Sequence, residues 1–251
     1  MKRHFIYLSY NGAAYYGWQV QPNGISVQGT LTKALCTVLR NENIEITGAG
    51  RTDTGVHARI MVAHFDAEIE NISLEELVKR LNSFLPNDIS VQKIVQVKST
   101  AHARFDAISR TYEYRIITSK NVFLNGLAAR FSGNFDLKKM NEAAAILLEY
   151  NDFTSFSKLH TDAKNNFCTI TKAGWEQRGD ELVFTITANR FLRNMVRAIV
   201  GTLLDVGCGK ISLENFRKII EEKNRCSAGV SVPAEGLYLV GVEYKDDVMI
   251  C

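Results

Sequence analysis

The stretch IEITGAGRTDTGVHARIMVAHFDA, residues 44–67, contains two strand-like segments joined by a glycine-rich loop. Ile44 to Ala49 and Met61 to Ala67 each predict a strand, because both are short runs rich in apolar and β-branched residues. The loop is expected to turn sharply and to admit a bulky ligand, since three of its residues lack a Cβ: Gly48, Gly50 and Gly55.

The segments on either side extend this unit into a longer pattern. His4 to Tyr10 and Ile89 to Val97 predict two further strands. Ser26 to Arg40 predicts a helix with a serine cap, and a second helix is expected from Ser73 to a point before Pro86. The resulting order is strand, helix, strand, strand, helix, strand, which is the split βαβ or ferredoxin-like arrangement.

The rest of the chain predicts a looser repeat of the same arrangement, starting near Phe105. We therefore expect an α+β protein with two ferredoxin-like halves, residues 1–104 and 105–251. Their antiparallel or mixed sheets would pack side by side, with the active-site cleft between them. The predicted elements of the second half are strands at 111–118, 168–178, 181–188 and 237–244, and helices at 136–150, 191–206 and 213–222.

Composition leaves the function open but limits the compartment. The chain has 251 residues, 46% of them hydrophobic, and a net charge of +3, which neither demands nor excludes nucleic acid. Its five cysteines are widely separated, so neither a disulfide framework nor a zinc site is indicated. No signal peptide or membrane-spanning run is evident, and a reduced cytoplasmic protein is expected.

Arg51 and Asp53 are the first candidates for chemistry. A guanidinium two residues from a carboxylate on a tight loop keeps that carboxylate ionised and oriented, as a nucleophile requires. The alternative is an Asx-turn with a solvated salt bridge.

Tyr112 and Tyr114 lie two residues apart on a predicted strand and therefore point to one face. A tyrosine facing a cleft can stack on an extruded base and transfer a proton through its hydroxyl. The alternative is that both rings pack on a sheet face.

The segment 189–206 predicts a helix with an arginine face. Arg190, Arg193 and Arg197 would fall within about 60° of one another. With no acidic residue interleaved, this face favours phosphate or a buried aspartate as partner over solvent alone. Arg104 adds a further arginine, and the polar loop 158–164 is a weaker candidate for RNA contact.

Several other chemistries lack a motif. His57 and His64 do not have metal-ligand spacing, and no metal site is expected. The chain contains no phosphate-binding loop, no dinucleotide fingerprint and no serine nucleophile elbow, so no nucleotide cofactor is predicted.

The loop sequence closely resembles the G-R-T-D-x-G-V-H motif of the TruA family of tRNA pseudouridine synthases. Other blocks resemble the same family in the same order, although Ala101 stands where a phenylalanine is common. They are residues 12–22 (GAAYYGWQVQP), 102–107 (HARFDA), 110–112 (RTY), 152–157 (DFTSFS), 194–197 with 200–201 (NMVR and VG), and 233–239 (PAEGLYL).

The resemblance implies isomerisation of uridine to pseudouridine at nucleotides 38 to 40 in the anticodon arm of tRNA. It also implies a homodimer that needs no cofactor, with one tRNA reaching both subunits. By position, Asp53 would be the nucleophile, Tyr112 the residue for stacking and proton transfer, and Arg197 the partner of the aspartate. Substrate contacts would come from Arg51, which helps displace the base, from Leu237 in the pocket, and from Arg104, Arg190 and Arg193.

Two alternatives remain at this point. A non-catalytic RNA-binding protein would explain the arginines and tyrosines, but not a carboxylate on a glycine-rich loop, which repels phosphate. A base deaminase would need an H-x-E…P-C-x-x-C pattern, which the chain lacks.

Overall fold

The computed structural model describes residues 1–70, 72–158 and 165–250. The chain divides into two compact units, Met1–Ile108 with Tyr238–Cys251, and Ser109–Leu237. Both units combine helices with strands that pair in antiparallel and parallel fashion, so the predicted α+β class is confirmed.

The described residues form nine strands and five α-helices. In chain order they are β1 (Lys2–Tyr10), α1 (Val27–Leu39), β2 (Thr47–Gly48), β3 (His57–Ala67), α2 (Leu74–Phe84), β4 (Ile89–Val97), β5 (Ala107–Ile117), β6 (Ala129–Arg130), α3 (Leu137–Ile146), β7 (Ile170–Arg178), β8 (Glu181–Ala188), α4 (Met195–Gly207), α5 (Leu213–Glu221) and β9 (Leu237–Tyr244).

In the first unit, β1 lies between β4 and β3 and is antiparallel to both. β2 pairs with β3 in antiparallel register, Thr47 opposite His64. The start of β3 also pairs in parallel with β9, His57 opposite Tyr238. Strand β3 therefore connects the glycine-rich loop to the last strand of the chain.

The two helices of this unit begin where the sequence predicts. The Ser26 hydroxyl accepts a hydrogen bond from the Gly29 N–H, and the Ser73 hydroxyl accepts one from the Glu76 N–H. Each cap of this kind contributes about 1 kcal/mol to helix stability. The buried apolar residues of this unit lie on both faces of the sheet and include Phe5, Leu8, Leu31, Leu35, Val62, Phe65, Leu77 and Leu81.

The second predicted strand is much shorter than expected, because only Thr47 and Gly48 pair within the predicted range Ile44 to Ala49. Ile44 and Ile46 are buried, so their apolar pattern reflects packing. The carbonyl of Ile46 accepts a hydrogen bond from the Gln28 side-chain amide at 2.7 Å instead of joining a strand ladder. Conversely, β3 begins at His57, four residues before the predicted start.

In the second unit, β8 lies between β5 and β7 and is antiparallel to both. Gly179 joins β7 to β8 with a φ of +60°, a conformation that glycine adopts without strain. Helix α3 ends at Ile146 and gives way to one 3-10 turn, Leu147–Glu149, short of the predicted end at Tyr150. The core of the second unit includes Met140, Phe153, Phe156, Phe184, Ile186 and Phe216.

None of the helices in the described residues is both long and apolar enough to span a membrane.

Candidate active site

The loop that carries Asp53 connects β2 to β3. The Val56 N–H donates to the Asp53 carbonyl at 3.1 Å, and Gly55 has a φ of +77°, so a tight turn follows the aspartate. Gly48 is needed for a different reason: a Cβ there would lie 2.5 Å from the Trp18 indole nitrogen. Gly50 differs: its φ is not positive and nothing lies within 4 Å of a Cβ built there. The structure therefore does not require a glycine at position 50, contrary to expectation.

The segment 15–18 fixes the backbone of this loop on both sides of Asp53. The Trp18 N–H donates to the Thr52 carbonyl at 3.2 Å, and the Gly55 N–H donates to the Tyr15 carbonyl at 3.4 Å. Gly17 has a φ of +79°, and a Cβ there would lie 2.3 Å from the Thr52 carbonyl oxygen. The Asp53 side chain is half-buried within this fixed turn, whereas Arg51 is exposed.

Side chains from β1 and from the start of β3 complete the support. The Tyr10 and Thr52 hydroxyls lie 2.8 Å apart, and both residues are buried. The His57 Nδ1 accepts a hydrogen bond from the Gly12 N–H at 3.1 Å. Sequence reasoning assigned no role to Tyr10, Trp18 or His57, although Trp18 and His57 lie in blocks that resemble the family.

The two tyrosines of β5 have different environments in the second unit. Tyr114 is fully buried, and its hydroxyl donates to the Pro233 carbonyl at 2.7 Å. Burial raises the pKa of the Tyr114 phenol well above its usual range. Tyr112 is half-buried, with its ring edge-to-face against Phe191 at 5.1 Å between centroids. Of the pair, Tyr112 is the one with surface left for a substrate.

Arg197 lies in the first turn of α4 and is held by the segment that precedes β9. Its Nε donates to the Val232 carbonyl at 2.6 Å, and the Val232 N–H donates back to the Arg197 carbonyl at 3.2 Å. The close approach is possible because Gly201 has no side chain: a Cβ there would lie 1.9 Å from the Val230 carbonyl oxygen.

The prediction that three arginines share one face of a helix is wrong for two of them, Arg190 and Arg193. Helix α4 begins at Met195, so Arg190 and Arg193 precede it. Asn194 has a left-handed φ of +66°, which ends the preceding turn and cannot belong to a right-handed helix. Arg190 donates to the Asn165 side chain at 3.2 Å, and the Arg193 side chain is exposed.

Arg104 lies on a turn that is fastened to the first unit. The His64 Nδ1 accepts from the Ala103 N–H at 3.1 Å, the Ala103 carbonyl accepts from the Tyr244 hydroxyl at 2.6 Å, and the His102 Nδ1 accepts from the Arg104 N–H at 3.1 Å. Burial lowers the pKa of the His64 imidazole to about 4, so it accepts this hydrogen bond in the neutral form.

Leu237 is buried at the start of β9, directly before Tyr238. The residue before it, Gly236, passes so close to β5 that a Cβ would lie 2.7 Å from the Arg115 carbonyl oxygen. Residues 159–164 of the polar loop lie outside the described residues. Within the described ranges, no group of His, Cys, Asp and Glu side chains is arranged to hold a metal ion.

A family model described as tRNA pseudouridine synthase matches residues 6–106 and 143–245 of this chain. The chain belongs to the tRNA pseudouridine synthase family. Its resemblance to the TruA branch and its assignment as an isomerase are confirmed by curated relatives of the same length. All predicted site residues of this family member lie within the two matched ranges except Tyr112, which falls between them.

The relatives are each named tRNA pseudouridine synthase A. The protein of Bacteroides fragilis is 57% identical over 249 residues, which cover 99% of this chain and 98% of the relative. That of Porphyromonas gingivalis is 53% identical over 254 residues and 100% of both chains. That of Bacillus subtilis is 40% identical over 242 residues, 95% of this chain and 98% of the relative.

Proposed function

We propose that this protein isomerises uridine to pseudouridine at positions 38, 39 and 40 in the anticodon arm of tRNA, with Asp53 as the nucleophile. The observation that carries the proposal is the fixed backbone around Asp53, whose neighbours Thr52 and Gly55 are hydrogen-bonded to the segment 15–18. A carboxylate held in one orientation, in a chain of the tRNA pseudouridine synthase family, fits nucleophilic attack on a bound nucleotide.

The reaction breaks the N1–C1′ bond of uridine and forms a C5–C1′ bond, while C5 loses a proton and N1 gains one. No electrons are transferred and no water is consumed, so this chemistry requires no metal and no nicotinamide. In the proposal, Tyr112 stacks on the uracil and transfers a proton, and Arg197 holds the Asp53 carboxylate ionised. The proposal holds whether Asp53 attacks C6 of the uracil or C1′ of the ribose.

The target base must leave its stack to reach Asp53, which costs a few kcal/mol. Arg51 is exposed beside the nucleophile and would help to displace the base. Leu237 would line the pocket. Arg104, Arg190 and Arg193 would bind phosphates, because a guanidinium makes bidentate, charge-assisted contacts with phosphate oxygens.

We also propose the finer features that the family resemblance implies. Residues 1–104 and 105–251 would be two versions of the split βαβ arrangement, which is supported in the first unit by the order β4, β1, β3, β2 with antiparallel neighbours. The active protein would be a cytoplasmic homodimer in which one tRNA reaches both subunits.

The test is carbodiimide and primer-extension mapping of an unmodified tRNA transcript with uridines at positions 38 to 40, incubated without any cofactor. Asp53→Asn is the variant of interest, since it removes the nucleophile and leaves the size of the side chain unchanged. Asp136→Asn is the matched control, because Asp136 caps α3 through the Lys139 N–H and asparagine caps a helix equally well.

We expect new stops in the anticodon arm with the wild type and Asp136→Asn, and none with Asp53→Asn, which should still bind tRNA. Substantial product from Asp53→Asn would overturn its assignment as the nucleophile. A wild-type protein that binds tRNA but forms no pseudouridine in it would favour the RNA-binding alternative.

A further inference from the structure

Residues 228–232, here called the strap, lie along helix α4 of the second unit between Asn194, the residue before the helix, and Thr202. The Gly229 N–H donates to the Thr202 hydroxyl at 2.9 Å, and Val232 exchanges two hydrogen bonds with Arg197. This close approach depends on Gly201, which leaves room for the Val230 carbonyl. Because the strap supplies the acceptor for the Arg197 Nε, its position sets the direction of that side chain.

Arg225 holds the strap at three points. Its Nη1 donates to the carbonyls of Ala228 at 3.4 Å and Gly229 at 3.1 Å, and its Nη2 donates to the Ser231 hydroxyl at 2.8 Å. All three acceptors are neutral oxygens, and Arg225 takes part in none of the ion pairs found among the described residues. Its guanidinium therefore acts here as a rigid fork of donors.

Ser231 connects this fork to the helix. Its hydroxyl oxygen also accepts from the Asn194 side-chain amide at 2.5 Å, and Asn194 is the left-handed residue immediately before α4. The strap is thus tied to the beginning of the helix on one side and to Arg225 on the other. Val232, the next residue along, is buried and cannot shift independently of Ser231.

Arg225 is itself anchored in the core of the unit. The N–H of the preceding residue, Asn224, donates to the Ser155 hydroxyl at 3.0 Å, and that hydroxyl donates to the Ile219 carbonyl at 2.5 Å. Ser155 is fully buried. Hydrogen bonds therefore run from Ser155 through Asn224 and Arg225 to the strap, and from the strap to Arg197.

We propose that Arg225 is a positioning residue for Arg197. By clamping the strap it fixes the Val232 carbonyl, which fixes Nε and with it the plane of the Arg197 guanidinium. The inference rests on the proposed function for its effect on catalysis, because there Arg197 keeps Asp53 ionised. The structural part of the inference, the orientation of Arg197, does not depend on the proposed reaction.

Four variants separate this role from general stability. Arg225→Lys keeps the charge but loses the fork, and Ser231→Ala removes the shared acceptor. Ser231→Thr restores the hydroxyl. Arg217→Lys is the matched control, since Arg217 on α5 makes an equally forked pair with Glu149 elsewhere in the same unit.

The first readout is independent of activity: exchange of the Arg197 Nε–H with solvent, followed by NMR on the intact protein and assigned with Arg197→Lys. We expect protection in the wild type, Ser231→Thr and Arg217→Lys, and at least a tenfold loss of it in Arg225→Lys and Ser231→Ala. Unchanged protection in the last two variants would overturn the inference, whatever the enzyme does.

The second readout is the steady-state turnover of tRNA. Arg225→Lys and Ser231→Ala should lower kcat by roughly 10- to 100-fold with little change in KM, as expected for a small misplacement in an active site. A wild-type kcat in both variants would overturn the catalytic part, and an inactive wild type would instead refute the proposed function.

Discussion

The hydroxyl groups of Tyr10 and Thr52 lie 2.8 Å apart in the interior of the first unit, one on the central strand β1 and the other directly before Asp53. The Thr52 carbonyl is held as well, by the Trp18 N–H. The residue between Arg51 and Asp53 is thus fixed through both its side chain and its backbone.

We predict that Tyr10→Phe and Thr52→Val each lower kcat by about 10-fold, because a small displacement of a nucleophile is costly. The double variant should be little worse than either single one, since both remove the same hydrogen bond. Steady-state kinetics on a tRNA transcript measure this, with Tyr7→Phe on the same strand as control. Fully additive effects would show that the two hydroxyls act separately.

Gly17→Ala is expected to destabilise the protein by about 2 to 4 kcal/mol, because alanine is strained at positive φ and its Cβ would collide with the Thr52 carbonyl. Gly50→Ala should leave the free energy of unfolding within about 0.5 kcal/mol of the wild type, since nothing lies within 4 Å of a Cβ there. Chemical denaturation compares the two. Equal losses of unfolding free energy in the two variants would contradict the prediction that only position 17 requires a glycine.

Tyr112→Phe keeps the ring and removes the hydroxyl proposed for proton transfer. We expect kcat to fall by about 10²- to 10⁴-fold while tRNA affinity changes little. Tyr150→Phe is the control, because its hydroxyl donates to Glu221 on the surface of the same unit. Wild-type turnover by Tyr112→Phe would limit this residue to stacking.

Acid should destabilise the first unit through His64. Burial lowers the pKa of this imidazole to about 4, from 6.5 in the unfolded chain, so between these values the unfolded state binds more protons. Stability should therefore fall as the pH drops from about 6.5 to 4, by up to about 3 kcal/mol from this group alone.

His64→Asn tests that assignment, because its side-chain oxygen can still accept from the Ala103 N–H but does not titrate. Thermal unfolding at pH 4.5 and pH 7 should show a smaller difference for this variant than for the wild type. Burial also lowers the pKa of two other imidazoles, His4 and His102, so they add acid sensitivity in the same direction. If the difference in thermal stability between pH 4.5 and pH 7 is the same in His64→Asn and the wild type, His64 does not contribute to the acid sensitivity.

The sequence predicted the regular elements well wherever local patterns decide them. β4 and β9 have the predicted bounds, and the serine caps are found at Ser26 and Ser73. The errors arise where tertiary contacts override pattern. Helix α4 starts late because Asn194 adopts a left-handed conformation and bonds to Ser231, 37 residues further along the chain.

The same limit applies to the candidate site. The motif around Asp53 was recognisable as a string, but its support was not, because Gly17, Trp18 and Tyr10 act through contacts with a loop more than 30 residues away. Arg225 is not predicted at all, since no sequence pattern shows that its guanidinium bonds to two strap carbonyls and the Ser231 hydroxyl. Spacing indicates which residue types recur, whereas long-range packing decides what each one does.

Because β9 belongs to the first unit, that unit cannot be completed until β9 has been synthesised. Tyr238 pairs with His57 directly after the aspartate loop, and Tyr244 holds Ala103 and packs on Phe5 at 4.9 Å between ring centroids. While these residues are still inside the ribosome, β3 lacks its parallel partner. The unit whose synthesis begins first is therefore completed only after the second unit has been translated, because β9 follows that unit in the chain.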